Sequence, residues 1–171
     1  EQSSGERQGT FQTLIVCPFI DPSNALSLEN VASVTDYFEK MQTRLGKKLR
    51  IALLHGRQSK AEQEKVTKRL FAKEIDVLVT TPIVEVGLDL PQASAMVIES
   101  AERFGLASLH QLRGRVGRAG QQGYCALFTS KPPSSVIRDR LKAFSATTNG
   151  QQLAELDLQQ RGAGDLFGTQ Q

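Results

Sequence analysis

The sequence predicts an α/β protein in which a parallel sheet is flanked by helices and followed by a C-terminal helical hairpin and loop. Three observations lead to this fold class. Short runs rich in Val, Ile and Leu alternate with segments of helical periodicity, which is the order of elements in parallel sheets. The runs are apolar throughout, as expected for strands that are covered on both faces. After Lys131-Pro132-Pro133 the pattern is helical only.

The predicted strands and helices follow one another at short intervals. In chain order they are strand 11–17, helix 28–45, strand 49–54, a helix that begins at 59, strands 75–80 and 95–99, a helix that carries an arginine-rich segment, strand 124–129, and helices 134–146 and 151–160. Across the first helix, apolar residues recur at helical spacing at Val31, Val34, Phe38, Met41 and Leu45.

The second helix has a clear start signal. Ser59 and Glu62 have the spacing of a capping box, in which each side chain bonds the other's backbone N–H. We expect this helix to bury Val66, Leu70 and Phe71 against the sheet.

The chain divides into three predicted segments. Residues 1–10 are polar and are expected to be disordered, residues 11–131 form the α/β domain, and residues 132–171 form the helical hairpin and its tail. Thr147 to Gly150 breaks the hairpin into two helices. The last ten residues are rich in glycine, and we expect them to be irregular.

Size and composition suit one domain with a modest appendage. The chain has 171 residues, a net charge of +3 and a pI of about 9.0. No apolar run approaches the roughly 18 residues that a membrane span needs, so no membrane partner is predicted. Cys17 and Cys125 lie in apolar runs without metal-ligand or redox spacing. We therefore expect no metal site, and two buried, reduced thiols in a cytoplasmic protein.

The most informative segment runs from Gln111 to Arg118, QLRGRVGR. It places Arg113, Arg115 and Arg118 within six residues, separated by two glycines. A guanidinium is a planar, permanent cation that suits phosphate oxygens, and glycine permits close approach of the backbone. The segment therefore indicates a polyphosphate-binding surface. The alternative is a solvated, arginine-rich helix end.

Positive charge is concentrated around this segment. Basic residues outnumber acidic ones between 102 and 142, at Arg103, Arg113, Arg115, Arg118, Lys131, Arg138, Arg140 and Lys142. Such a stretch favours contact with a phosphate backbone, although a solvated surface explains the charge equally well.

Segment 111–118 resembles the last motif of superfamily 2 helicases and translocases. Residues 54–62, LHGRQSKAE, resemble the segment between the fourth and fifth motifs of that superfamily. Residues 80–91, TTPIVEVGLDLP, are similar to its fifth motif. The resemblance implies a RecA-like motor domain over residues 11–131.

The tail resembles a translocation motif shared by two bacterial DNA translocases, the helicases that remodel replication forks and the transcription-repair coupling factors. The matching segments are AELDL at 154–158, RGAGD at 161–165 and GTQQ at 168–171. Residues 17–20 and 102–106 make the fork-remodelling helicases the closer match.

For the superfamily's nucleotide site, the resemblance implies roles for five residues. Arg115 and Arg118 would act as arginine fingers on the γ-phosphate of ATP, and Gln111 would contact the γ-phosphate or the attacking water. Gly87 and Asp89 would contact the nucleotide, although a strand-to-loop turn is the alternative reading of that pair. The sequence contains no phosphate loop and no metal-binding acidic box. ATP and Mg²⁺ are therefore expected to be held mainly by an upstream RecA-like domain.

The resemblance also implies DNA contacts and coupling residues. Thr81 would contact a DNA phosphate, and His55 is a weaker candidate whose alternative is a hydrogen-bonded turn residue. Arg140, Arg161 and Gln171 would couple ATP hydrolysis to movement along DNA, the alternative being a disordered tail. Because ligands of parallel sheets bind at the carboxyl ends of the strands, His55, Thr81 and Arg118 are expected to converge there. Arg113 is expected to make a structural salt bridge.

The expected function is that of a motor domain of an ATP-dependent DNA helicase acting on branched or duplex DNA, together with the upstream domain of the same protein. The isolated chain is expected to be inactive. Two alternatives remain open at this point. One is the equivalent domain of a transcription-repair coupling translocase, and the other is a non-catalytic module that retains the fold.

Overall fold

A computed structural model describes residues 11–19, 33–82, 93–117 and 122–165, with side chains described to residue 159. In this part of the chain five parallel strands form one sheet in the order β2-β3-β1-β4-β5. The strands are β1 Gln12–Val16, β2 Ile51–Leu54, β3 Val77–Thr80, β4 Ala93–Ile98 and β5 Tyr124–Leu127. The predicted α/β fold with a parallel sheet is confirmed.

Five α-helices accompany the sheet within the described residues. They are α1 Val34–Leu45, α2 Lys60–Phe71, α3 Leu106–Arg113, α4 Ser135–Ala146 and α5 Gly150–Asp165. A short 3-10 helix, Ala101–Arg103, lies between β4 and α3. None of these helices combines the length and the apolar character that crossing a bilayer requires.

Alternation along the strands creates two apolar faces. On one face Ile15, Cys17 and Val79 pack against α1. On the other face Leu14 and Val16 belong to a larger cluster that includes α2 and α3. Successive strand residues point to opposite faces, and both faces are covered by helices.

The C-terminal helices form a hairpin that packs on α3. Phe144 of α4 and Leu153 of α5 are buried and belong to the same hydrophobic cluster as the sheet. The hairpin therefore shares a core with the α/β part. A division into domains at residues 131 and 132 stays a prediction.

The start of α1 differs from the prediction of a helix from residue 28. Ser33 has extended backbone, and its hydroxyl accepts a hydrogen bond from the Asp36 N–H at 3.2 Å. The Val34 N–H donates to the Phe19 carbonyl at 2.8 Å. Ser33 is thus an N-cap, and the helix begins at Val34. Residues 28–32 lie outside the described residues.

Three further predictions are wrong in detail. The α5 helix continues to Asp165, so residues 162–165 are helical and not irregular. Phe71 is 50% exposed, because it lies one residue beyond the buried Leu70 and so about 100° further around α2. Tyr124 is 66% exposed, since β5 is an edge strand. Residues 166–171 lie outside the described residues.

Candidate functional site

The α3 helix presents one apolar side and one polar side. Leu106, Leu109 and Leu112 are fully buried against the sheet. Gln111 is exposed and Arg115 is half-exposed. Arg115 follows the C-cap residue Gly114, and its N–H donates to the Leu112 carbonyl at 2.9 Å. Gln111 and Arg115 therefore lie at the same end of α3, and their contact with the γ-phosphate stays a prediction.

The chain turns tightly where it leaves α3. Gly117 has φ 71°, a left-handed conformation that favours glycine. Its N–H donates to the Ala93 carbonyl at 3.2 Å. A Cβ at Gly123 would lie only 2.7 Å from the Gly117 Cα, so the segments on either side of residues 118–121 are in backbone contact. Arg118 lies outside the described residues.

The arginine segment and the predicted DNA contacts lie at opposite edges of the sheet. Leu54 and Thr80 are register partners at the carboxyl ends of β2 and β3, so His55 and Thr81 follow them side by side. Gly117 instead bonds to Ala93, at the amino end of β4. The predicted convergence of His55, Thr81 and Arg118 stays a prediction, because Arg118 lies outside the described residues; Gly117, the residue before it, lies at the amino edge. The physical reason is that α3 runs antiparallel to the strands and returns the chain to their amino ends.

His55 and Thr81 are both engaged by their own loops. The His55 Nδ1 accepts from the Arg57 N–H at 3.3 Å, and the His55 N–H donates to the Gln58 Oε1 at 3.0 Å. Thr81 is 7% exposed, and its carbonyl accepts from the Thr80 hydroxyl at 3.1 Å. His55 is thus a hydrogen-bonded turn residue, and Thr81 presents little side-chain surface.

A buried ionisable cluster lies where β1 and β4 meet at the carboxyl edge. Burial, with a smaller contribution from Glu99, raises the pKa of the Cys17 thiol to about 12. Burial and a hydrogen bond to Glu99 also raise the pKa of Tyr37. Cys17 and Tyr37 are therefore neutral near pH 7, and Cys17 is not an activated nucleophile.

Arg113 contacts the C-terminal hairpin. Its Nη1 donates to the carbonyls of Phe144 and Thr147, each at 2.9 Å, and its Nη2 lies 3.1 Å from the His110 Nδ1. The guanidinium carbon lies 4.3 Å from the centroid of the Phe144 ring. The predicted structural role fits this geometry, but the partners are carbonyls and an aromatic ring where a carboxylate was expected.

The hairpin also contacts the start of α3. Gly105, the N-cap residue of this helix, has no side chain to satisfy the first N–H groups. The Asp157 Oδ1 of α5 accepts from the Leu106 N–H at 3.2 Å and takes this role. Sequence reasoning missed this contact, which joins residues 51 positions apart. The glycine at the N-cap position could have indicated it, because the first N–H groups of the helix then need an acceptor from another part of the chain.

Arg140 joins the hairpin to the carboxyl edge of the sheet. Its Nη2 donates to the Glu102 carbonyl at 2.8 Å. The Glu102 carboxylate in turn accepts hydrogen bonds from the Ser130 N–H and hydroxyl. Arg140 therefore fixes α4 to the 3-10 helix that precedes α3.

The remaining predicted site residues are described in part or not at all. The backbone of Arg161 lies in α5, and its side chain is outside the described part. Gly87, Asp89, Arg118 and Gln171 lie outside the described residues.

A cavity of about 530 Å³ adjoins the end of α3, between α4 and the start of β5. Its lining includes Arg113, Gly117, Cys125 and Phe144. Cys125 is half-buried there, and burial raises the pKa of its thiol, opposed by nearby Arg113. The cavity is therefore lined by residues of both the arginine segment and the hairpin.

Comparison with known proteins identifies the family. Residues 4–120 match the model of the helicase conserved C-terminal domain. The chain is 41% identical over 167 residues to the ATP-dependent DNA helicase RecG of Streptococcus pneumoniae, covering 98% of this chain and 24% of that protein. It is 44% identical over 170 residues to RecG of Staphylococcus aureus strain N315, covering 99% of this chain and 24% of that protein.

A solved structure agrees with these sequence matches. The structure of RecG bound to a three-way DNA junction superposes with a TM-score of 0.70 at 39% identity, covering 91% of this chain and 19% of that chain. The chain thus spans about a quarter of the length of the curated relatives it matches. It belongs to the helicase conserved C-terminal domain family, and its sequence and fold are similar to those of RecG, an ATP-dependent DNA helicase.

Proposed function

We propose that this chain is the second RecA-like motor domain, with its translocation hairpin, of an ATP-dependent DNA helicase. The intact enzyme would remodel forked or branched DNA in replication restart, recombination and repair. The observation that carries this proposal is that Gln111 and Arg115 both keep exposed surface at the C-terminal end of α3, in a domain of the helicase family. The branched substrate is inferred from the similarity to a RecG bound to a DNA junction.

The described residues fit the phosphate end of ATP. Gln111 is exposed and Arg115 is half-exposed, so an amide and a guanidinium can reach an anion held outside this domain. ATP supplies the transferable γ-phosphoryl group, and Arg115, with Arg118, stabilises the charge that develops on it. Gly87 and Asp89 contact the rest of the nucleotide. Mg²⁺ and most of the ATP are held by the upstream RecA-like domain of the same protein.

DNA contacts belong to the opposite edge of the sheet in this proposal. Thr81 and His55 lie at the ends of neighbouring strands, where a phosphate backbone can approach both loops. Because Thr81 is 93% buried, its contribution comes mainly from the backbone. His55 acts chiefly by holding the 55–58 turn in place. Such contacts position DNA without reading its sequence.

The hairpin couples the two edges. Arg113 and Asp157 fasten it to the two ends of α3, and Arg140 fastens it to the carboxyl edge. A displacement of the arginine segment on nucleotide binding therefore reaches α4 and α5 through direct contacts. Arg161 and Gln171 carry this displacement to the DNA. The free, buried thiol of Cys17 suits the cytoplasmic location that is part of the proposal.

Substitution of Arg115 in the intact enzyme tests the proposal. Arg115→Ala should lower DNA-stimulated ATP turnover by about 10³-fold or more, because an arginine finger acts mainly on the transition state. Nucleotide affinity should change far less. Single-turnover hydrolysis and a separate nucleotide titration measure the two effects.

Two further variants sharpen this test. Arg115→Lys should restore only part of the activity, since lysine keeps the charge but not the planar fork. Arg44→Ala, an exposed arginine in the last turn of α1, should leave turnover unchanged. Hydrolysis near the wild-type rate in Arg115→Ala would remove the support for a finger at this position.

A further inference from the structure

A basic cleft lies at the amino end of edge strand β2, between the C-terminal ends of α1 and α2. Its volume is about 670 Å³. Its lining contains five cationic side chains, all exposed: Lys47, Lys48, Arg50, Arg69 and Lys73. This basic cleft is separated by the length of β2 from the carboxyl edge that carries His55.

The charge of the basic cleft is only partly compensated. The Arg50 Nη2 lies 2.7 Å from the Asp76 Oδ1, and the Arg69 Nε lies 3.5 Å from the Glu74 Oε2. Within the described residues, the three lysines of the cleft make no ion pair. Three positive charges therefore remain, which equals the net charge of +3 of the whole chain.

Lys73 has an unusual backbone conformation. Its φ is 59°, in the left-handed region, where a side chain is strained and glycine is the usual residue. It ends α2, since the Lys73 N–H donates to the Leu70 carbonyl and the Glu74 N–H to the Arg69 carbonyl. A residue kept in a strained conformation points to a role for its side chain. Compensation of the helix dipole does not require Lys73, because Lys68 and Arg69 already occupy the last turn.

We propose that the basic cleft binds the phosphodiester backbone of duplex DNA, as a second contact beyond the carboxyl edge. This inference rests on the proposed function. Arg50 and His55 bracket β2, so the two contacts are separated by about 16 Å, or five residues at roughly 3.3 Å each. That distance corresponds to about five base pairs of duplex. The cleft thus increases the length of duplex that the domain contacts, and it does so without reading the base sequence.

Neutralising the cleft in the intact enzyme tests the proposal. Lys47→Gln with Lys48→Gln should lower the slope of log K against log salt by about two for a long duplex arm, since each phosphate contact contributes about 0.9. On a duplex arm shortened by about five base pairs, the double variant and the wild-type enzyme should have the same slope, because the short arm does not reach the cleft. Lys40→Gln with Lys65→Gln is the matched control, because both lysines are exposed and outside the cleft. Fluorescence anisotropy over a salt series measures all three proteins.

A substitution at Lys73 separates binding from stability. Lys73→Gly should raise the thermal unfolding temperature by relieving the strained φ, and yet weaken binding of the long arm several-fold. Lys73→Arg should keep the wild-type affinity. Affinity in Lys73→Gly equal to that of wild type would overturn the proposal.

The outcomes distinguish this proposal from the one on which it rests. Suppose that the wild-type enzyme binds forked DNA and hydrolyses ATP, and that the cleft variants have the same slope of log K against log salt as the wild-type enzyme. The cleft then does not contact DNA, and only this inference fails. If the wild-type enzyme binds no DNA, the proposed function fails first. A cleft that binds an acidic protein segment would leave the DNA slopes unchanged and would likewise overturn the inference.

Discussion

Arg113 shows how an arginine within a predicted phosphate-binding motif can serve the framework. Its guanidinium contacts the hairpin, whereas Arg115, two residues later, is the predicted arginine finger. Arg113 donates to two carbonyls at the end of α4 and lies over an aromatic ring. A guanidinium can serve several acceptors in one plane, which lysine cannot. Arg113 therefore belongs to the framework that holds the site.

Substitution of Arg113 should cost stability. Arg113→Ala should lower the free energy of unfolding by about 2–3 kcal/mol, because it leaves carbonyls of Phe144 and Thr147 without their charged donor. Arg44→Ala should cost less than about 0.5 kcal/mol, since Arg44 is exposed in the last turn of α1. Chemical denaturation of the chain measures both. Equal losses in the two variants would contradict the structural role of Arg113.

At the scale of elements, the hairpin and α3 behave as one unit. Asp157 caps the start of α3, and Arg113, in its last turn, is held by the end of α4. Phe144 and Leu153 complete the same apolar cluster. A shift of Arg113 would therefore act directly on the end of α4 through these hydrogen bonds. This arrangement suits a part that transmits motion.

The proposed coupling role of the hairpin is testable in the intact enzyme. Arg161→Ala and Gln171→Ala should leave DNA-stimulated ATP hydrolysis largely in place and lower fork unwinding sharply, because these residues act after the chemical step. The two activities are measured on the same preparations. Equal loss of both would point to a role in folding or at the ATP site. Unchanged unwinding would mean that the tail is a passive extension.

At the scale of the whole molecule, periodicity predicted the strands, most helices and the hairpin. Such patterns report which side of an element is buried, and that decides the fold class. They do not report contacts between distant polar groups. Gln12, within an apolar strand, donates to the Leu70 and Ile75 carbonyls, and Asp157 caps a helix 51 positions earlier. The Ser33 cap also depends on a strand end, because Val34 bonds to Phe19.

The placement of the site followed less well from sequence. By position alone, His55 and Thr81 lie at the carboxyl strand ends where ligands of parallel sheets bind, whereas Gly117 of the arginine segment lies at the amino edge; whether either binds a ligand stays a prediction. The segment lies at the C-terminal end of α3, which leads the chain from the carboxyl edge back to the amino edge, and the rule that ligands bind at carboxyl strand ends concerns only the loops that follow the strands. In a parallel sheet each connecting segment starts at the carboxyl end of one strand and finishes at the amino end of the next. A segment that comes after the helix of such a connection is therefore expected near the amino ends.

The chain as a whole should fold and yet be inactive as an ATPase. It carries the predicted phosphate-contacting residues Gln111 and Arg115, and its sequence lacks a phosphate loop and an acidic box for Mg²⁺. Phosphate release from ATP with forked DNA should stay at background for the purified chain, while circular dichroism shows folded α/β structure. Turnover that rises with DNA would overturn this prediction.

In the proposed function, the nucleotide and the DNA contact opposite edges of one sheet, and the sheet would then act as a lever between them. Its arm is about 20 Å long, the length of the six residues of β4. A rotation of about ten degrees about the amino edge would swing the carboxyl edge through roughly 3.5 Å, close to the 3.4 Å rise of one base pair. A small closing movement at the phosphate end would then become a step of one base pair at the other end, with no bending of the strands between them.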